Sequence, residues 1–200
     1  MKLYYSHNSP YARRPRMALH EAGLLDRVEE VDLTPRAEND AVLFANGPGG
    51  KVPALMTDTG AFVVESILIC RYLDDLSGGK LTPSDPAARD AALQIEGMAS
   101  VLMDTLYFRT HEGRRDEAQK SAAIKEKDAK VANAAYDALD EAAKDFGDAI
   151  NLGTISTVAA LGYADWRHAG DNWRGGRAAL AGWFEIIMER PAMALTKPVY

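Results

Sequence analysis

The run Ser77-Gly78-Gly79, followed by Thr82-Pro83-Ser84-Asp85-Pro86, divides this chain into two hydrophobic patterns that do not belong to one sheet or one bundle. Glycine and proline at this density end one helix and form a linker that feeds another. Before the break, strand-like and helix-like runs alternate; after it, apolar residues recur only at helical spacing. The pattern predicts an α/β unit over residues 1–78, a linker over 79–85 and an all-α unit over 86–200.

In the first unit, Lys2–Tyr5 is a short aromatic strand running into the Ser6, Asn8, Ser9, Pro10 loop. Pro10 suits a first helical turn, and Met17, Ala18, Leu19 and Ala22 support a helix that stops at Gly23. Val28–Asp32 is a second strand, and residues 37–45 a short irregular helix before the glycine-rich loop. Ala54–Met56 and Phe62–Val64 flank a Thr57-Asp58-Thr59-Gly60 turn, as an antiparallel hairpin requires. Glu65 opens a helix whose Ile67, Leu68, Ile69, Cys70, Leu73 and Leu76 are expected to be well buried. The order is β-α-β-α-β-β-α.

In the second unit, Ile95, Met98, Leu102 and Leu106 share one helical face, and Ile124, Val131, Ala135, Leu139 and Phe146 form a second stripe. The small, apolar segment Thr154–Ala169 is expected to be the central buried helix, and Leu180, Phe184, Ile187 and Met188 line a last one.

Composition excludes several classes. Apolar residues make up 47% of the chain, enough for a real core, while a net charge of −6 argues against general nucleic-acid binding. The first ten residues hold no secretory signal, and no apolar run approaches the roughly 20 residues that span a bilayer, so a cytoplasmic location without a membrane partner is expected. Cys70 is the single cysteine and reads as a small core residue; His7, His20, His111 and His168 show no ligand spacing, so no metal is expected and they read as surface or helix-cap residues. Arg13, Arg14 and Arg16 read either as a solvated basic face or as a source of positive potential at the start of the first helix.

Three segments, LYYSHNSPYARRPRMALHEAGL, GKVPALMTDTGAFVVESILICRYLDD and ALGYADWR, resemble the glutathione transferase superfamily of bacterial type, with serine at the active-site position. The second is the most specific, since it joins a Val-Pro, a hairpin and a Glu-Ser helix start at the family's spacing. The likeness covers essentially the whole chain and implies a thioredoxin-like N-terminal domain followed by a helical C-terminal domain. Ser9-Pro10-Tyr11-Ala12 is also similar to the Cys-Pro-Tyr-Cys of glutaredoxins with both cysteines replaced, which removes dithiol chemistry. Two departures stand out: the loop before Lys51 is one residue longer than usual, and the helical-domain capping box reads Asn151 to Thr154, with threonine in place of a carboxylate.

The resemblance implies roles for particular residues. Val52, preceding a cis Pro53, would pair its backbone with the cysteinyl residue of glutathione like one more strand. Ser66 and the helix it opens would take the γ-glutamyl carboxylate, Glu65 the ammonium, and Lys51 a carboxylate. For each there is a plainer alternative: a trans proline opening a strand, a serine capping its own helix, a surface lysine. Ser9 would donate a hydrogen bond to the glutathione thiolate, with Ser6, Tyr4 and Tyr5 as rivals. Tyr11, Tyr107 and Phe108 could line an apolar pocket for a second substrate, or simply belong to the core. The expected function is conjugation of glutathione, as co-substrate, to small apolar electrophiles in detoxification by a homodimer. A glutathione-dependent isomerase, a reductive dehalogenase and a non-catalytic binding module are the alternatives on the same scaffold.

Overall fold

The structure, a computed structural model, describes residues 1–34, 36–47 and 49–198. The first part builds β1 (Lys2–Tyr5), α1 (Pro10–Ala22), β2 (Glu29–Asp32), α2 (Arg36–Asn39), α3 (Ala41–Asn46), β3 (Ala54–Met56), β4 (Phe62–Val64) and α4 (Ser66–Ser77). The expected irregular helix is thus two short ones. The sheet order is β2-β1-β3-β4, with β1 parallel to β2 and antiparallel to β3, and β3 antiparallel to β4. This is the thioredoxin-like unit. Part of the lengthened loop before Lys51, Pro48, lies outside the described residues.

Strand alternation sorts the core. Leu3 faces α1 and α4, where Met17, Leu19, Ile69 and Leu73 close over it; Tyr4 points the other way, onto Leu33, Leu43 and Ala54. Helix α4 covers the sheet with one stripe only. Ile69, Cys70 and Leu73 are buried, but Ile67 is 36% and Leu68 58% exposed, contrary to the expectation of a fully covered helix. The helical period turns these two positions away from the sheet.

The basic run on α1 is corrected more sharply. Arg13, Arg14 and Arg16 are all buried, so no solvated basic face exists there. Arg16 pairs with Glu30 at 2.5 Å and lies over the Tyr5 ring. Arg13 donates to the Met193 carbonyl at 3.1 Å, and Arg14 is enclosed with its Nε and Nη2 unbonded among the described residues. The cause is that α1 is covered on two sides, by α4 and by the helical half.

That half contains α5 (Pro86–Gly113), α6 (Ala122–Ala143), α7 (Leu152–Arg167), α8 (Ala178–Ile187) and α9 (Pro191–Leu195). Buried Asp74 holds the connector in place by accepting from the Leu81 N–H at 2.6 Å and the Thr82 hydroxyl at 2.5 Å. Helix α7 is buried without interruption from Leu152 to Ala164, as its small apolar composition anticipates. Ile124, at the start of the α6 stripe, is 44% exposed and does not join the core. The capping box closes despite the threonine: Asn151 Oδ1 accepts from the Thr154 N–H at 3.0 Å, and the Asn151 N–H donates to Thr154 Oγ1 at 2.9 Å. Two glycines let neighbours reach the α7 axis. A Cβ on Gly153 would lie 2.5 Å from the Ala92 carbonyl oxygen, and one on Gly162 would lie 2.1 Å from the Arg13 guanidinium.

Two outcomes follow. Alanine is favoured over glycine inside a helix by about 1 kcal/mol, yet Gly153→Ala is expected to destabilise by about 1–3 kcal/mol, because a backbone carbonyl cannot step aside; urea unfolding reads the sign. Burial pushes the Cys70 thiol up to about 12, so the native protein should not react with a disulfide reagent at mildly alkaline pH, and should titrate one thiol once unfolded.

Candidate functional site

A cavity of about 810 Å³ opens between the thioredoxin-like unit and helices α5 and α7. Its near wall comes from three backbone features. Ser9 is the N-cap of α1: its Oγ accepts from the Ala12 N–H at 3.1 Å, and Pro10 fills the first turn. Capping uses an oxygen lone pair, so the hydroxyl proton is still free to be donated into the cavity. Ser6 also lines the wall. Tyr4 and Tyr5 do not; Tyr4 packs into the second core cluster and Tyr5 lies under Arg16.

The Val52–Pro53 bond is cis, which removes the trans alternative. Both residues line the cavity, and among the described residues neither the Val52 N–H nor its C=O is bonded to another backbone group. A pair of unspent backbone groups just ahead of β3 is an open ladder position for an extended peptide.

The third feature is the start of α4. Glu65 precedes the helix at φ 73°, ψ 119°, a conformation that side chains rarely adopt, and no side chain caps the helix. Ser66 is therefore inside the first turn and does not cap. Its hydroxyl has no bonded partner among the described residues, and Ser66 and Glu65 both face the cavity. An uncapped helix start is a ready anion site, and backbone strain of about 1–3 kcal/mol tends to persist where a site needs it. Lys51 is exposed at the rim, beside Arg36, whose guanidinium donates to the Gly50 carbonyl.

The far wall is helical. The Tyr11 hydroxyl crosses from α1 to donate to Asp104 Oδ1 of α5 at 2.6 Å. Burial, with the Asp104 hydrogen bond added, raises the Tyr11 phenol far above its ordinary range, so it stays protonated. The Tyr107 ring meets Tyr11 edge-on at 5.2 Å and lies 4.2 Å from His111, while Phe108 stands 63% exposed. Tyr163, Trp166 and Arg167 of α7 and Arg114 at the end of α5 complete the wall.

All nine residues singled out from the sequence therefore border one cavity: Ser9, Lys51, Val52, Pro53, Glu65 and Ser66 on one side, Tyr107 and Phe108 on the other, Tyr11 bridging. Sequence reasoning missed Arg36, Asp104, Arg114, Tyr163, Trp166 and Arg167. His111 is exposed in the last turn of α5, as expected, and there it also lines the cavity. Tyr163, Trp166 and Arg167 belong to ALGYADWR, so the segment was visible and its role was not. Of the remaining histidines, His168 is held by the Leu106 carbonyl at 2.9 Å and Thr110 at 3.0 Å, with burial lowering its basicity. His7 and His20 pair with Asp32 and Glu30.

Comparison with known proteins agrees with this geometry. The model of the glutathione S-transferase N-terminal domain matches residues 8–76. The GST-like protein YibF of Escherichia coli K12 is 30% identical over 203 residues, covering 99% of this chain and 98% of YibF. A glutathione transferase family member from Pseudomonas fluorescens Pf-5, solved with bound glutathione, superposes with a TM-score of 0.91 at 33% identity, covering 100% of this chain and 99% of that one. A second structure from the same organism, with bound S-(propanoic acid)-glutathione, gives a TM-score of 0.86 at 29% identity over 100% of both chains. With a relative of this identity aligned over nearly its whole length, this chain belongs to the glutathione transferase family.

Proposed function

We propose that this protein is a catalytically active glutathione transferase, joining the glutathione thiolate to small electrophiles with an apolar body. One observation carries the reading: the α1 N-terminus with Ser9, the unpaired Val52 backbone and the uncapped start of α4 converge on a single cavity. Glutathione presents a peptide backbone, a γ-glutamyl carboxylate and ammonium, a glycyl carboxylate and a thiol. Val52 takes the backbone, Ser66 and the α4 amides the γ-glutamyl carboxylate, Glu65 the ammonium, and Lys51 with Arg36 the other carboxylate. The sulfur then lies by Ser9, which stabilises the anion by donating its hydroxyl proton in a hydrogen bond, aided by the positive end of α1.

The thiol proton passes to solvent. The sulfur lone pair forms a bond to the electrophilic carbon, and the leaving group departs with its bonding pair. Tyr11, Tyr107 and Phe108 offer the apolar surface for the electrophile. The conjugate bound to the Pseudomonas fluorescens relative supports room for a substituent on sulfur.

We also infer a homodimer. Arg71 of α4 and Glu96 of α5 are joined in an ion pair, so the two helices are neighbours, and their outer surfaces carry exposed Ile67, Leu68, Leu93 and Val101. The charge pattern and absence of any long apolar helix among the described residues fit the expected cytoplasmic setting.

Replacing Ser9 by alanine should raise the thiol pKa of bound glutathione by about one unit, equal to about 1.36 kcal/mol, and lower turnover at least tenfold with little change in glutathione affinity. Ultraviolet thiolate absorbance and calorimetry measure the two effects, and unchanged turnover removes Ser9 from the mechanism. Glu65→Gln should instead weaken glutathione binding about tenfold or more, as loss of a charged hydrogen bond of about 1.5–3 kcal/mol implies. Mass analysis of the product separates conjugation, which incorporates glutathione, from isomerisation, which returns it. Sedimentation of Leu68→Glu with Val101→Glu should show monomers where the parent chain is dimeric.

A further inference from the structure

The cavity is charged opposite to the protein. The chain as a whole carries −6, yet the cavity is bordered by Arg36, Lys51, Arg114 and Arg167 against Glu65 and Asp104, a local excess of two positive charges. The charges also divide by domain. Arg36, Lys51 and Glu65 come from the thioredoxin-like unit, and their sum of +1 matches the −1 of glutathione with a neutral thiol. The helical wall keeps its own surplus. Asp104 is engaged by Tyr11 near the base of that wall. Arg114 lies ten residues further along α5, roughly 15 Å away at 1.5 Å per residue, where Arg167 ends α7.

These two arginines differ from the rest. Other arginines outside the interior pair with carboxylates, as Arg109 does with Asp171 at 2.6 Å, or donate to backbone carbonyls, as Arg89 does to Pro83. Among the described residues outside the interior, Arg114 and Arg167 donate to neither. Acidic side chains are abundant, 29 against 23 cationic, so unpaired guanidinium groups facing a cavity are not explained by a shortage of partners. Arg167 is also held in place: its guanidinium lies 3.4 Å from the centre of the Trp166 ring. A stacked, planar fork loses less freedom when it binds a planar oxyanion. Both cations sit beside one phenol. Burial and the nearby guanidinium groups act oppositely on Tyr163, burial raising it more than Thr110, Arg167 and Arg114 lower it.

We propose that the second substrate is an electrophile with an aromatic or similarly flat body and an acidic group, a carboxylate or sulfonate, at the end away from the reacting carbon. The flat body rests against Tyr107 and Phe108, and the acid is gripped by Arg114 and Arg167. This rests on the transferase reading for the position of the sulfur and narrows the apolar electrophile to an amphiphilic one.

The test uses conjugates first, so that recognition is measured apart from chemistry. Calorimetry compares S-(4-carboxybenzyl)glutathione with S-(4-methylbenzyl)glutathione, similar in shape and different in charge. The acid conjugate should bind at least tenfold tighter. The double variant Arg114→Gln, Arg167→Gln should bring the two conjugates to within about threefold, whereas Arg114→Lys, Arg167→Lys, which keeps the charge but loses the planar fork and its stacking on Trp166, should retain only part of the preference. Equal binding of both conjugates to the parent protein, or a preference that survives the glutamine variant, overturns the proposal; failure of both conjugates to bind overturns it together with the glutathione-binding reading. Turnover is then compared with 4-(chloromethyl)benzoate and 4-methylbenzyl chloride, each corrected for its uncatalysed rate; sulfur bonds to the benzylic carbon and chloride leaves. A retained binding preference with no catalysed conjugation of either compound would defeat the transferase reading while leaving acid recognition standing.

Discussion

The docking of α1 onto α7 governs the rest of this molecule. Arg13 enters the space that Gly162 leaves open and reaches the Met193 carbonyl, so a helix of the thioredoxin-like unit is locked into the helical half. Glu21, at the other end of α1, receives Arg190 at 2.7 Å. A helix held at both ends fixes where its N-terminus points, and Ser9 is that N-terminus. The width of the cavity follows from the same contact, because its two walls belong to the two units that α1 joins. Charged groups are seldom buried without function or compensation. Here one of three buried arginines is an interdomain bolt, one pairs with Glu30, and Arg14 is enclosed where Glu96, Asp104 and Tyr11 act on its charge.

The two walls are built on different principles. The near wall is made of backbone: an N-cap, a cis peptide and an uncapped helix start, each left with unspent hydrogen-bonding capacity. Such groups are rigid and specific for a peptide, which suits an invariant ligand. The far wall is made of side chains on α5 and α7, aromatic at the level of Tyr107 and Trp166 and cationic above. Exchanging side chains there would leave the fold undisturbed, because Phe108, Arg114 and Arg167 are exposed and contribute little to the core.

Legibility from sequence was uneven for physical reasons. Periodicity located the strands and helices well, and α7 announced itself by small apolar residues. Periodicity could not show that Ile67 and Leu68 face outward, since an exposed apolar residue reads in the sequence like one in the core. Of the two readings of Arg13, Arg14 and Arg16, the solvated face fails, because burial of a cation depends on acceptors supplied by residues far along the chain, such as Glu30 and Met193. Motif spacing led to Val52, Glu65 and Ser66, whose places on the cavity wall follow from local structure. Arg36, Asp104 and Arg114 carry no motif; they matter only because folding gathers them at one opening.

By itself, the sequence determined the order of elements, the family and the segments that border the cavity, all properties of neighbouring residues. Tertiary structure decided that Val52 precedes a cis bond, that Ser66 does not cap its helix, and that a protein of net negative charge opens onto a positive cavity. Local propensity acts over a few residues, whereas burial and electrostatic potential sum over everything packed nearby, so the former is written in the chain and the latter exists only once the chain has folded.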